Sequence, residues 1–215
     1  MQDADKEHQL KKSQGHKFWN NCSNTHLADH NYYIKASEAL RVQIIKFLKK
    51  SDKVIDFGCG AGEASLMAAP HVGLVTGFDL SESLVAKANE TAQTMGLKNV
   101  IFERLDLEMR LPRLEADAIF CLGVFSCIHD DIIWKNLLDS FSTILKPGNI
   151  LILRETLASI TAERVMYSNG YYANYRTVAN YLAVTSEYSF SLAGDVELFK
   201  RNDGLENHLY VFIKD

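Results

Sequence analysis

The sequence predicts an α/β fold: a doubly wound, largely parallel sheet of seven strands with an antiparallel last strand and helices on both faces. Three observations carry this. From Lys53 onward, short apolar runs bounded by turn residues alternate with helical segments, the pattern of βαβ units whose sheet is covered on both sides. The last two runs break the alternation, because only a short polar connection separates them. A glycine-rich turn stands between the first run and the helix that follows it.

The elements follow in order. After a polar lead, Tyr33, Ala36, Leu40, Ile44 and Leu48 recur at helical spacing until Ser51-Asp52 breaks the period, so residues 1–50 are expected to form an N-terminal helical cap on a core of residues 53–215. Strands are predicted at Val54-Ile55-Asp56-Phe57, Leu74 to Phe78, Val100-Ile101-Phe102, Ala118 to Leu122 and Ile150 to Leu153. Helices fall around Glu63 to Ala69, Ser81 to Met95 and Asp130 to Leu145, the last with Trp134, Leu137, Leu138, Phe141 and Leu145 along one face. Residues 156–180 are expected to form an insertion on one rim. The runs Asp195 to Phe199 and Leu209 to Ile213 flank a connection carrying Asp203-Gly204, which is a hairpin signal.

With 215 residues, three prolines and twelve glycines, the chain has the length of one domain with a sizeable core and no composition for a linker. Its 23 Lys+Arg against 27 Asp+Glu give a net charge of -4, which disfavours a surface built for a polyphosphate backbone, so nucleic acid is not expected as the main partner. The first twelve residues lack the apolar stretch of a secretory signal, and no run approaches the ~20 apolar residues of a membrane span. A cytoplasmic protein is expected. Cys22, Cys59, Cys121 and Cys127 never stand at C-x-x-C spacing, which fits reduced thiols better than a zinc site or a disulfide framework. The oligomeric state is left open.

The chemistry concentrates in Asp56-Phe57-Gly58-Cys59-Gly60-Ala61-Gly62-Glu63. Alternate glycines permit a tight strand-to-helix turn and let a ligand approach the backbone. Asp79 follows at the end of the second strand, where a carboxylate accepts hydrogen bonds from ribose hydroxyls. A dinucleotide-type G-x-G-x-x-G read from Gly58 would need glycine at 63, where Glu63 stands and would face a pyrophosphate. Asp56 instead suits a ligand with a cationic amino group.

On these residues the chain resembles the class I S-adenosylmethionine-dependent methyltransferases. The resemblance covers about Lys53 to Asp215 and rests on the glycine turn, on Gly77-Phe78-Asp79-Leu80-Ser81, on Asp106-Leu107, on Asp117-Ala118-Ile119-Phe120 and on Leu145-Lys146-Pro147-Gly148, with Asn149 replacing a second glycine. It implies a Rossmann-like sheet and S-adenosyl-L-methionine as cofactor. It further implies that the backbone of Gly58 and Gly60 lies against the methionine part of the donor, with Cys59 and Gly62 also in the donor site, and that Asp56 holds its amino group directly or through water, with the Leu122 carbonyl as a further partner. Asp79 would bind the ribose, with Leu80 also in the donor site, while Asp106 would accept from the adenine amino group and the Leu107 backbone would meet the ring. The aromatic N-terminal residues Phe18, Trp19, Tyr32 and Tyr33 are expected to close over the donor, Trp19 and Tyr33 in contact with it.

On the acceptor side the expectation is a polar small molecule or sugar, methylated on a hydroxyl or amine by in-line displacement. His129 follows the fourth strand and Glu155 ends the fifth, which makes both candidate catalytic bases. Each has a structural alternative: a surface histidine ahead of a helix capped by Asp130 or Asp131, and a structural ion pair. Arg154, Tyr171, Tyr172, Tyr175 and Arg176 are the candidate acceptor contacts, and Arg154-Glu155 followed by Tyr175-Arg176 is similar to a pattern of bacterial small-molecule and glycan methyltransferases. No Asn-Pro-Pro-Tyr-like run follows the fourth strand, which disfavours DNA-adenine and glutamine methylation. No metal is expected at the reaction centre, since the metal-dependent catechol type would place an acidic residue near Cys121 and an Asp-Asn pair near Arg154. The reading from another class is a non-catalytic module that binds the donor for sensing or assembly.

Overall fold

A computed structural model describes residues 17–22, 30–105, 111–112, 114–159, 162–168 and 171–215. A helical turn at residues 17–20 precedes helix α1 (His30–Phe47). The chain then runs through β1 (Lys53–Phe57), α2 (Glu63–Ala68), β2 (Leu74–Asp79), α3 (Glu82–Thr94), β3 (Val100–Arg104), β4 (Ala116–Leu122), α4 (Asp131–Ile144) and β5 (Leu145–Ala158). A small hairpin, β6 (Arg164–Ser168) and β7 (Tyr171–Tyr175), leads to α5 (Val178–Glu187), β8 (Phe190–Lys200) and β9 (Leu205–Lys214).

The seven-stranded sheet has the order β3-β2-β1-β4-β5-β9-β8. Its first five strands are parallel, β9 is antiparallel to both β5 and β8, and the strand order reverses between β1 and β4. Ligands of open α/β sheets bind at the carboxyl ends of strands beside such a reversal. Alternation along each strand feeds two cores. Val54, Ile152, Leu209 and Val211 meet Ala36, Leu40 and Ile44 of α1 on one face, while Ile55, Phe57, Leu151, Leu153 and Tyr210 meet Trp134, Leu138 and Phe141 of α4 and Tyr181 of α5 on the other. Helix starts are capped as their sequences allow: Ser81 accepts from the Leu84 N–H, Asp130 from the Ile132 N–H at 2.9 Å and Thr177 from the Asn180 N–H.

Two elements differ from expectation. Strand β5 starts at Leu145 directly from α4, so Leu145-Lys146-Pro147-Gly148 lies within the strand, with a register shift between Ala116 and Ala118 of its neighbour. The insertion contains the β6–β7 ladder, which pairs Ser168 with Tyr171 and Arg164 with Tyr175. None of the described helices is long and apolar enough to cross a membrane.

Candidate functional site

The carboxyl ends of β1, β2, β4 and β5 open into a cavity of about 900 Å³, roofed by α1 and by Phe18 and Trp19. Its floor is the turn after β1. Gly58 has φ 75°, and a Cβ on it would lie 2.3 Å from Val124 Cγ2, so only glycine keeps the turn against the loop leaving β4. The N–H groups of Gly58 and Cys59 both donate to the Phe78 carbonyl, at 2.8 and 2.9 Å, which docks the turn onto the end of β2. Gly62 does a different job. A Cβ there would meet Phe102 Cζ at 2.7 Å, and Gly62 is outside the cavity wall, so this glycine lets α2 and α3 pack instead of facing a ligand.

Two carboxylates stand over this turn. Asp79 accepts from the Gly60 N–H and the Ser81 N–H, both at 2.9 Å, and its burial raises its pKa above the ordinary value while those amides oppose the rise. Asp56 is buried on β1 and accepts from the Ser65 hydroxyl at 2.6 Å; burial pushes its pKa up to about 6. An anionic carboxylate held in such surroundings gains from a cation in the cavity. Leu80, Leu122 and Tyr33 also line the wall. The Leu122 carbonyl accepts from Arg154 Nη2 at 3.2 Å, and the Arg154 guanidinium sits 5.9 Å from the Tyr32 ring. Asp106 and Leu107, expected at the adenine, lie outside the described residues.

At the far end the cavity is aromatic. Tyr171 packs edge-on against both Phe18 and Trp19, with ring centroids 5.9 Å apart in each case, and Tyr175 stands beside it. Burial raises the pKa of both phenols, so they are neutral hydrogen-bonding groups at physiological pH. Residues 17–22 are anchored to the ends of β2 and β3 by Ser81, whose hydroxyl donates to the Cys22 carbonyl at 2.7 Å, and by Arg104, which donates to Asn20 Oδ1 at 3.0 Å.

Four expected acceptor-side residues stand elsewhere. Arg176 is 2% exposed and spends its guanidinium on the carbonyls of Phe125 and Ile128, both at 2.9 Å, and on Asp131. Glu155 is 1% exposed, accepting from the Phe125 and Ser126 N–H groups at 2.8 and 3.1 Å; it faces the turn after β4, away from the cavity wall. His129 sits outside the wall with Nε2 at 3.0 Å from the Tyr172 carbonyl, to which an Nε2–H donates. Tyr172 is buried against that histidine, their ring centroids 3.7 Å apart. The pleat explains the split at β5: consecutive residues point to opposite faces, so Arg154 reaches the cavity and Glu155 cannot.

The sequence reading missed a polar chain that crosses the wall. Tyr32 donates its hydroxyl to Asn207 Oδ1 at 3.2 Å, and Asn207 donates to Thr156 Oγ1 at 2.8 Å. Thr156 was within reach, since it shares the face of Arg154 two residues earlier. Asn207 was not, because only the β5–β9 register brings it opposite Thr156.

Comparison with known proteins bears on this geometry. A family model described as a methyltransferase domain matches residues 48–198. The chain is 31% identical over 103 residues to the ubiquinone biosynthesis O-methyltransferase of Coxiella burnetii, covering 47% of this chain and 42% of that protein. It is 32% identical over 113 residues to the 27-O-demethylrifamycin SV methyltransferase of Amycolatopsis mediterranei, covering 51% and 40%. It thus spans less than half the length of these relatives. In fold it is similar to the N-methyltransferase NodS of Bradyrhizobium japonicum, solved with S-adenosyl-L-homocysteine, at a TM-score of 0.72 and 15% identity over 95% of this chain and 98% of that one. With its seven-stranded sheet, its antiparallel β9 and a family model spanning most of its length, the chain belongs to the class I S-adenosylmethionine-dependent methyltransferases, whose cofactor is S-adenosylmethionine.

Proposed function

We propose that the protein methylates a hydroxyl, or alternatively an amine, of a polar ring-bearing small molecule. One observation carries the reading: a single cavity runs from the Gly58 to Gly60 turn, with Asp56, Asp79 and Arg154 around it, to an aromatic end made by Trp19, Tyr171 and Tyr175. Its volume of about 900 Å³ lies toward the upper end of the roughly 300 to 1,000 Å³ of ligand sites, which suits two molecules end to end.

The residues present fit the donor. Asp56 and Arg154 offer opposite charges where a zwitterionic amino-acid end needs them. The Asp79 carboxylate keeps acceptor capacity beyond its two amide donors, enough for ribose hydroxyls. Gly58 lets the turn lie against Val124 of the loop leaving β4, and both residues line the cavity beside Asp56. Bound S-adenosylmethionine supplies an activated methyl on a sulfonium. The chain's own task is to orient the acceptor and exclude water, and orientation alone contributes roughly 7 to 11 kcal/mol in favourable cases. Tyr171 and Tyr175 offer ring faces and hydroxyls to an aromatic acceptor. Glu155 and His129, whose side chains are committed to main chain, act in this reading by holding the wall and not as bases at the reacting atom.

The names of two relatives, both acting on oxygen, favour the hydroxyl. The test is a screen of phenols, hydroxylated macrocycles, sugars and amines with labelled donor, scored by a donor-dependent mass gain of one CH2 unit. Methylation of a ring-bearing polar compound supports the proposal. S-adenosylhomocysteine binding with no turnover on any class would move the chain to a donor-binding module.

A further inference from the structure

The β8–β9 hairpin carries a group of ligand atoms that methyl transfer does not use. Glu197 on β8, with Glu206 and His208 on β9, each offer one such atom, and these atoms all lie within 4.8 Å of one another. Strand alternation separates them from the cavity: Leu205 and Asn207 line it, while Glu206 and His208 point the other way. The pairing shifts register between Glu197 and Phe199, and a bulge of this kind re-aims side chains.

Two observations favour a cation over internal ion pairing. His208 is 8% exposed, its Nδ1 lies 2.6 Å from Asp195 Oδ1, and its Nε2 is buried without a hydrogen-bond partner among the described residues. An imidazole whose Nδ1 proton is fixed on a carboxylate turns an Nε2 lone pair outward, the arrangement of a metal-ligating histidine with its supporting carboxylate. The second observation is the spacing. Nε2 and Glu206 Oε1 are 3.6 Å apart, too far for a good hydrogen bond. That is close to the ~3.3 Å edge of a tetrahedron whose corners stand ~2.0 to 2.1 Å from zinc. Lys200 Nζ, 3.1 Å from Glu206 Oε2, balances part of the negative charge from a side chain 60% exposed.

We propose that Glu197, Glu206 and His208 form a divalent-cation site, with Asp195 fixing the imidazole. A donor set of one imidazole and two carboxylates, without thiolate, suits zinc or its tetrahedral surrogate cobalt. The ion ties β8 to β9 behind the turn whose flanking residues Arg201, Leu205 and Asn207 line the cavity, so it braces that wall.

The test titrates the full, EDTA-treated protein with zinc chloride by calorimetry and with cobalt chloride by visible absorption. The expected result is one saturable site per chain with a tetrahedral cobalt spectrum. His208→Gln and Glu206→Gln should each weaken it more than about tenfold, and Asp195→Asn about 10- to 100-fold. Lys200→Ala, an exposed change outside the donor set, should bind zinc more tightly because the competing ammonium is gone, and it decides the matter even should the His208 variant fail to fold. Absence of saturable zinc binding overturns the proposal, and so does binding that His208→Gln leaves unchanged or that Lys200→Ala weakens.

Discussion

Glu155 and Arg176 grip the same main-chain turn from opposite sides. The Glu155 carboxylate takes the N–H groups of Phe125 and Ser126, while the Arg176 guanidinium, 4.1 Å above the Trp134 ring, takes the carbonyls of Phe125 and Ile128 and the Asp131 carboxylate at 2.7 Å. The turn they hold supplies Ser126, Cys127 and Ile128 to the cavity wall. A candidate base and a candidate acceptor contact of the sequence thus both spend their polar atoms on the main chain that forms this wall.

Glu155→Gln keeps one acceptor and sets an NH2 against the second N–H, for which a loss of about 1 to 3 kcal/mol in urea unfolding is expected. The pH dependence identifies the carboxylate. Burial raises Glu155 to about 7 and Asp56 to about 6, so the native protein binds these protons more tightly than the unfolded chain. Their contribution is complete below the ordinary carboxylate range near ~4 and is lost as pH rises through 6 and then 7. Glu155→Gln should flatten the segment between pH 6 and 7. An unchanged slope there would show that Glu155 does not titrate where its burial puts it.

Arg176→Lys keeps the charge and loses the fork that meets two carbonyls and a carboxylate together. It should destabilise by more than about 1 kcal/mol, since it strands a buried acceptor, and should raise acceptor KM through the loosened turn with little change in donor affinity. An Arg176→Lys protein with native stability and a selective loss for anionic acceptors would return Arg176 to the acceptor.

Much of this was legible in the sequence, and what was not has physical causes. The turn after β1, the position of Asp79 at the end of β2 and the terminal hairpin are local signals, fixed by a few adjacent residues, and the chain forms these elements there, although Gly62 stands outside the cavity wall. The β6–β7 ladder also had a local signal, Asn169-Gly170 between the residues that pair as Ser168 and Tyr171, which the aromatic density of the segment obscured. Arg154 and Glu155 both end β5 in the sequence, but a pleat lets only one of two neighbours face the cavity. Arg176 meets Phe125 and Ile128 about fifty residues away, and no spacing rule reaches across α4 and β5 to reveal that.

Gly58→Ala should cost donor binding and stability together, because the new Cβ meets Val124 Cγ2 and the residue sits in left-handed backbone. A left-handed non-glycine residue alone costs roughly 1 to 2 kcal/mol. Adding Val124→Ala removes the collision and leaves that backbone cost, so the double variant should recover part of the loss, not all of it. Full recovery would mean that the conformation is unstrained, and none that Val124 is not the obstacle. Thermal unfolding with and without S-adenosylhomocysteine measures both.

Arg154 stands on the cavity face of β5, within hydrogen-bond reach of the Leu122 carbonyl and near enough to Asp56 to favour its charge. Under the proposed function Arg154, an acceptor contact in the sequence reading, is assigned to the carboxylate of the donor. The discriminating ligand pair is S-adenosylhomocysteine and 5′-methylthioadenosine, which keeps the nucleoside and sulfur and lacks the amino-acid end. Arg154→Gln should weaken S-adenosylhomocysteine by about tenfold or more, the worth of one charge-assisted contact of ~1.5 to 3 kcal/mol, and leave 5′-methylthioadenosine unchanged. Asp56→Asn should show the same selectivity through the amino group. In the wild type, affinity for S-adenosylhomocysteine should climb as pH rises through about 6, where Asp56 acquires its charge, and level off above it. Calorimetry on both ligands from acid to neutral pH checks all three. Equal losses for the two ligands would place Arg154 and Asp56 in the fabric of the turn, and no loss for either would leave Arg154 to the acceptor.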